Sequence, residues 1–172
     1  MRNTVLSILF FSLFAMLTCA QNTRSGATAG FLNSGVKISD GTNSATNEEA
    51  GFYLGLFADF EFSDSFFVQP EFLYANVDGA SALFVPVLAK YYLFKGFSIQ
   101  AGPQLGISLE ETGSEIGTVS VEVAGGLAYD ISDTFFVEAR YAQQLNNSYT
   151  GDIDDFTIRG NGLFIGLGCR FN

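Results

Sequence analysis

Six charged side chains, Glu71, Lys90, Glu122, Glu138, Arg140 and Arg170, have types that could do chemistry and fall inside runs of alternating residues. Carboxylates and bases sharing one face could form a proton or ion path, or a catalytic carboxylate pair. The competing reading is structural: charges facing a filled interior must find partners or cost several kcal/mol, so they act as a plug of salt bridges. Asp59, Glu61 and Asp130 have the same inward parity. The chain has no histidine, which removes Ser-His-Asp and Cys-His nucleophilic machinery and the commonest transition-metal ligand. No Ser-Lys constellation accompanies the charges, so no nucleophile–base pair is offered and the structural reading is favoured. The register read from the sequence pairs Glu71 with Lys90 diagonally, Arg140 with Glu122 and Glu138 with Arg170.

A second acidic group lies between the alternating runs. Asp40, Glu48, Glu49, Asp78, Glu110, Glu111, Glu115, Asp152, Asp154 and Asp155 make up 10 of the 18 acids, with Lys37 and Arg159 at their edges. Hard oxygen ligands such as Asp152, Asp154 and Asp155 suit Ca²⁺ or Mg²⁺, but no EF-hand-like spacing is present. A solvated acidic loop is the favoured reading, and no metal or other cofactor is expected. Net charge is −10. A nucleic-acid partner is disfavoured, because phosphate binding needs a positive footprint. Of the two cysteines, Cys19 falls in an N-terminal leader and Cys169 has outward parity beside Leu163, Ile165 and Leu167. The processed chain therefore has one thiol and cannot close an internal disulfide.

The elements that position these residues are long alternating strands. Hydrophobic residues make up 48% of the chain and charged residues 15%, against ~25% charged in soluble domains. Yet no stretch after residue 20 reaches the ~20 apolar residues a spanning helix needs. Alternating strands carry the same apolar content without showing it to a hydropathy window. Eight spans are expected, at 25–37, 51–62, 66–77, 82–94, 97–109, 118–130, 134–145 and 159–171. In 51–62, Phe52, Leu54, Leu56, Ala58, Phe60 and Phe62 share one face, opposite Gly51, Tyr53, Gly55, Phe57, Asp59 and Glu61. In 97–109 an apolar face opposes Ser98, Gln100, Gly102, Gln104, Gly106 and Ser108. The polar face is made mostly of small residues, which suits the interior of an eight-stranded barrel that side chains fill.

Connections at 38–50, 78–81, 110–117 and 146–158 read as polar loops, and those at 63–65, 94–96 and 131–133 as short turns, the outer-membrane pattern. Phe60, Phe62, Phe66, Phe67, Tyr91, Tyr92, Phe94, Phe97, Tyr129, Phe135, Phe136 and Phe171 gather at the short-turn ends, which suggests an interfacial girdle rather than strand propensity alone. The total absence of Trp counts against it. Turn chemistry sets Leu93 opposite Phe97 with Gly96 left-handed, Lys90 opposite Gln100, Phe62 joined to Phe66 and Val77 opposite Ala82.

Residues 1–20 read as a signal peptide: Arg2 supplies the positive end, Val5 to Leu17 the apolar core, and Thr18-Cys19-Ala20 the cleavage site before Gln21. A lipoprotein signal would carry small residues before Cys19, whereas Met16-Leu17-Thr18 precedes it. The expected organisation is therefore a leader over 1–20 and a barrel domain over 21–172.

Phe84-Val85-Pro86-Val87-Leu88-Ala89-Lys90-Tyr91-Tyr92-Leu93-Phe94, then Gln100-Ala101-Gly102-Pro103-Gln104-Leu105-Gly106, resembles the porin-like outer-membrane β-barrel domain family of Bacteroidetes, which includes PorT-like proteins and small OmpX-like barrels. Arg140-Tyr141 and the terminal Gly166-Leu167-Gly168-Cys169-Arg170-Phe171 fit the resemblance, while Asn172 after Phe171 departs from the usual aromatic end. The resemblance implies export, assembly by the barrel-insertion machinery, and no assigned biochemical activity.

The expectation is an all-β, eight-stranded antiparallel up-and-down transmembrane barrel in the outer membrane of a Gram-negative bacterium. Its partners would be outer-membrane lipid, the assembly machinery, and an extracellular partner met through the acidic loops. A non-enzymatic structural or interaction role leads, with the lumen closed by side chains. The alternatives are a small lipid-acting outer-membrane enzyme and a secreted lipocalin-like barrel with an apolar interior.

Overall fold

A computed structural model of the chain describes residues 23–40, 44–110, 117–149, 151 and 156–171. The expected leader over 1–20, with Cys19 and the Gln21 terminus, lies outside the described residues, as do Glu111, Glu115, Asp152, Asp154, Asp155 and Asn172.

Eight strands form a closed antiparallel barrel in sequence order. They are β1 (Thr23–Ser39), β2 (Ser44–Ser63), β3 (Phe66–Val77), β4 (Ala80–Phe94), β5 (Phe97–Ser108), β6 (Val119–Asp130), β7 (Phe135–Gln144) and β8 (Thr157–Phe171). The ring closes where β1 pairs with β8, from Ser25 opposite Phe171 to Ser39 opposite Thr157. Closure gives every strand two neighbours, so the backbone donors and acceptors of the wall pair within it, as a bilayer demands.

Alternation sorts the side chains onto two faces. Phe52 is 50% and Leu56 60% exposed on the outside, whereas Tyr53, Phe57 and Asp59 between and beyond them are buried. The expected faces of 97–109 hold, and 118–130 follows the same rule: Ile99, Leu105, Val121 and Leu127 are exposed, while Ser98, Gln100, Gln104 and Ala128 are buried. An apolar exterior around a largely polar and charged interior is the reverse of the lipocalin-like alternative.

The β1–β2 hairpin departs from expectation. Residues 38–50 were expected to be a polar loop, yet pairing continues from Asn33 opposite Ala50 to Ser39 opposite Ser44. Polar residues can extend a ladder outside lipid, because solvent hydrates their side chains while the backbone stays paired. The 78–81 loop is likewise a two-residue turn. Asp78 (φ 48°) and Gly79 (φ 86°) are both left-handed, and Val77 pairs with Ala80 rather than Ala82. An Asp-Gly pair with both φ positive is the type I′ hairpin that the strand twist favours.

Two short turns contain bulges. Phe94 pairs with Phe97 around Lys95-Gly96, and the register shifts between Tyr92 and Phe94, so the expected Leu93–Phe97 pairing does not form. Gly96 is left-handed at φ 81°, and Lys90 lies opposite Gln100, both as expected. Ser63 similarly pairs with Phe66 after a shift beyond Glu61. The Phe62 and Phe66 rings are still neighbours, 6.1 Å apart.

Candidate functional site: the barrel interior

The interior is built in levels, beginning at the short-turn end. Arg170 donates from Nη2 to Asp130 at 2.8 Å and from Nε to Asp59 at 3.4 Å. Its Nη2 also reaches the Tyr92 hydroxyl at 3.3 Å, and that hydroxyl donates to Asp130 at 2.9 Å. β8 supplies the arginine, β2 and β6 the acids, and β4 the tyrosine, so this level ties together strands that are not neighbours.

Phe136 forms the next level. The Arg170 guanidinium and the Lys90 ammonium both lie 4.8 Å from its ring centroid, and Phe57 packs edge-on against it. Contact of cations with an aromatic face is worth ~2 kcal/mol or more when desolvated. Lys90 donates to Gln69 at 3.1 Å, and Gln69 donates to Glu71 at 2.6 Å.

At mid-barrel, Arg140 pairs with Glu71 at 2.9 Å, and both side chains are fully buried. Glu138 accepts hydrogen bonds from Thr28, Tyr53 and Gln100. Above them Leu32, Tyr53, Leu73, Leu88 and Phe164 make an apolar layer. Glu122 lies toward the loop end, accepting from Ser120 at 2.6 Å and Gln104 at 2.7 Å.

Of the nine charged residues expected to face inward, Asp59, Glu71, Lys90, Glu122, Glu138, Arg140 and Arg170 are buried in this interior, and Glu61 and Asp130 are half-buried. The three pairings read from the sequence are not the ones made. Glu71 bonds Arg140 instead of Lys90, because the Asp78-Gly79 turn shifts β3 against β4 and brings Gln69, not Glu71, diagonal to Lys90. Glu122 is held by Ser120 and Gln104 instead of Arg140, and Arg170 takes Asp59 and Asp130 instead of Glu138. Asp59 and Asp130 were visible as inward charges, but their common partner was not. Thr28 and Gln69 were missed; inward parity on β1 and β3 was the signal available.

Of the residues grouped in the aromatic girdle, Phe67 is buried inside instead. Phe136 and Tyr92 also lie inside, as the inward parity of their strands requires, with Tyr92 donating to Asp130. Phe62, Tyr91, Phe94, Tyr129, Phe135 and Phe171 are exposed outside at that end. Cys169 is a free, half-buried thiol with outward parity on β8, as expected of that strand face. No group of three or more His, Cys, Asp or Glu side chains arranged to hold a metal occurs among the described residues.

The family model described as "Outer membrane protein beta-barrel domain" matches residues 6–171. The chain belongs to that family. This outer-membrane barrel is also similar in fold to solved structures. Ail, the attachment invasion locus protein of Yersinia pestis, superposes with a TM-score of 0.52 at 19% identity, covering 88% of this chain and all of that one. Neisserial surface protein A superposes with a TM-score of 0.50 at 13% identity over 88% of this chain and all of that one. No curated protein sequence matches the chain significantly.

Proposed function

We propose that this outer-membrane barrel acts without chemistry of its own, as a closed scaffold that displays acidic loops outside the membrane. The observation that carries the reading is the crossing of the interior by side chains at successive levels. Arg170 with Asp59 and Asp130, Phe136 with Lys90, and Arg140 with Glu71 connect distant parts of the wall. Eight strands leave an interior just wide enough for side chains, whereas aqueous channels belong to barrels of ~16 strands or more. Glu71, Lys90, Glu122, Glu138, Arg140 and Arg170 then form a structural network rather than a catalytic set. Against a lipid-acting enzyme stands the absence of histidine, which leaves no Ser-His or Cys-His pair to activate a nucleophile.

On this reading the partners are outer-membrane lipid, the assembly machinery, and an extracellular partner drawn to the acidic loops. Residues 1–20 serve as a cleaved signal peptide. Planar-bilayer recording on the purified protein tests closure. The expected result is no stable unitary conductance; reproducible porin-sized steps would refute it.

A further inference from the structure

At the loop end the interior opens into a cavity of about 400 Å³, walled by Val36, Ile38, Phe84 and Ile158 and including Ser120 and Glu122. A smaller cavity of about 60 Å³ shares Phe84 and Glu122 and extends to Phe164. The larger volume lies in the ~300–1,000 Å³ range of small-molecule sites, and its lining has their character of apolar walls with a few placed polar groups.

Glu122 is only 9% exposed, yet no Lys or Arg lies within ion-pair distance of it among the described residues. Glu71, Asp59 and Asp130 each have an arginine; Glu138 has none, but takes three hydrogen bonds deep in the barrel. The segments 41–43, 111–116, 150 and 152–155 contain no Lys or Arg, so these parts of the loops cannot supply the missing cation. Arg140 is engaged with Glu71, and Lys37 and Arg159 face each other with outward parity on β1 and β8. Each Glu122 oxygen takes one hydrogen bond, leaving acceptor capacity on both. Gln104, which donates to Glu122 but is not part of the cavity lining, has a buried Oε1 without a donor.

From this geometry we propose that the vestibule binds a small organic cation, with its ammonium group on Glu122 and its apolar body against Val36, Ile38 and Ile158. A bare divalent cation fits poorly. Such an ion favours several carboxylate ligands, and Glu122 is the one carboxylate in this lining, whose other polar groups are the neutral hydroxyls of Ser108, Thr118, Ser120 and Ser148 and the Gln144 amide. Acidic loops around the mouth raise the local concentration of cations and favour their entry. The site stands whether or not the barrel conducts, because it lies above the apolar layer.

The test is amide chemical-shift titration of ¹⁵N-labelled protein in detergent micelles at fixed ionic strength, with n-butylammonium as probe and n-butanol as the neutral control. Saturable shifts at Ser120, Glu122 and Gly160, at least tenfold tighter for the ammonium than for the alcohol, are expected. Glu122→Gln should abolish that preference while keeping the heat-modifiable gel mobility of a folded barrel. Ile38→Lys, which supplies an internal ammonium to the same space, should weaken butylammonium binding at least tenfold and serves if Glu122→Gln does not fold. Equal response to both probes, shifts confined to outward residues such as Leu127 and Ile165, or unchanged affinity in either folded variant would overturn the proposal.

Discussion

Arg140 on β7 and Glu71 on β3 stand four strands apart around the wall and meet across the lumen, Nη1 to Oε2, at 2.9 Å. Neither is near the other in sequence or on a neighbouring strand, so their bond braces the cross-section directly. Removing one partner leaves the other as an uncompensated buried charge. Arg140→Met should therefore destabilise the barrel by ~3–5 kcal/mol, and adding Glu71→Met should recover most of the loss. Urea unfolding in lipid vesicles, read by tryptophan-free near-UV signals or gel mobility, measures both. A double variant no more stable than the single one would contradict the pairing.

Lys90→Met should cost less than Arg140→Met. Lys90 meets Gln69 and the Phe136 face, and among the described residues no carboxylate lies within ion-pair distance to be stranded by its loss. The same unfolding experiment ranks the two variants.

Gly168 on β8 lies against the Phe136 ring, and a Cβ there would collide with the ring's far edge. Phe136 cannot easily yield, since Phe57, Lys90 and Arg170 surround it. Gly168→Ala should cost ~1–3 kcal/mol as an overpacked site. Phe136→Leu should cost less in the Gly168→Ala background than alone, a coupling that a double-mutant cycle reads.

The two faces should differ in the charge they tolerate. Leu54→Arg, Leu105→Arg and Val121→Arg each place a cation in lipid, at ~2–4 kcal/mol near the midplane and less toward the interfaces. Inside, Gln100→Glu should also destabilise, because Gln100 donates to Glu138 and the substitution sets two carboxylates together. Gln100→Met removes the donor without adding charge and should cost less. Folding yield into vesicles distinguishes these outcomes.

Mass spectrometry of the mature protein should find Gln21 at the N-terminus with no lipid on Cys19. A diacylglycerol-modified Cys19 would refute the signal-peptide reading.

The strands and their faces were legible because a period of two survives in every span, so Leu54 outside and Tyr53 inside follow from parity alone. Ring partners were not legible in the same way. Parity places Arg140 inside, but whether it meets Glu122 or Glu71 depends on register and stagger around the closed ring. One turn carried much of that error. Asp78-Gly79 is a strong hairpin signal, and reading it as a longer loop displaced β4 against β3 by two residues. The Lys95-Gly96 turn shows the opposite case. Its glycine revealed the left-handed position, while the shift between Tyr92 and Phe94 absorbed the difference and kept Lys90 opposite Gln100.

The long β1–β2 hairpin gives an edgeless fold a short open border. β3 ends at Val77 opposite Gly51, so Ser44–Ala50 of β2 has β1 on one side and no strand on the other among the described residues. Unpaired backbone along such a border is a template for joining another chain. Glu48 and Glu49 stand within it, near its Ala50 end. In an antiparallel pairing of two copies centred there, Glu48 of each copy would sit opposite Glu49 of the other, setting two carboxylates together on each face. Like charges set directly opposite are destabilising, so such a pairing of two copies along this border is disfavoured.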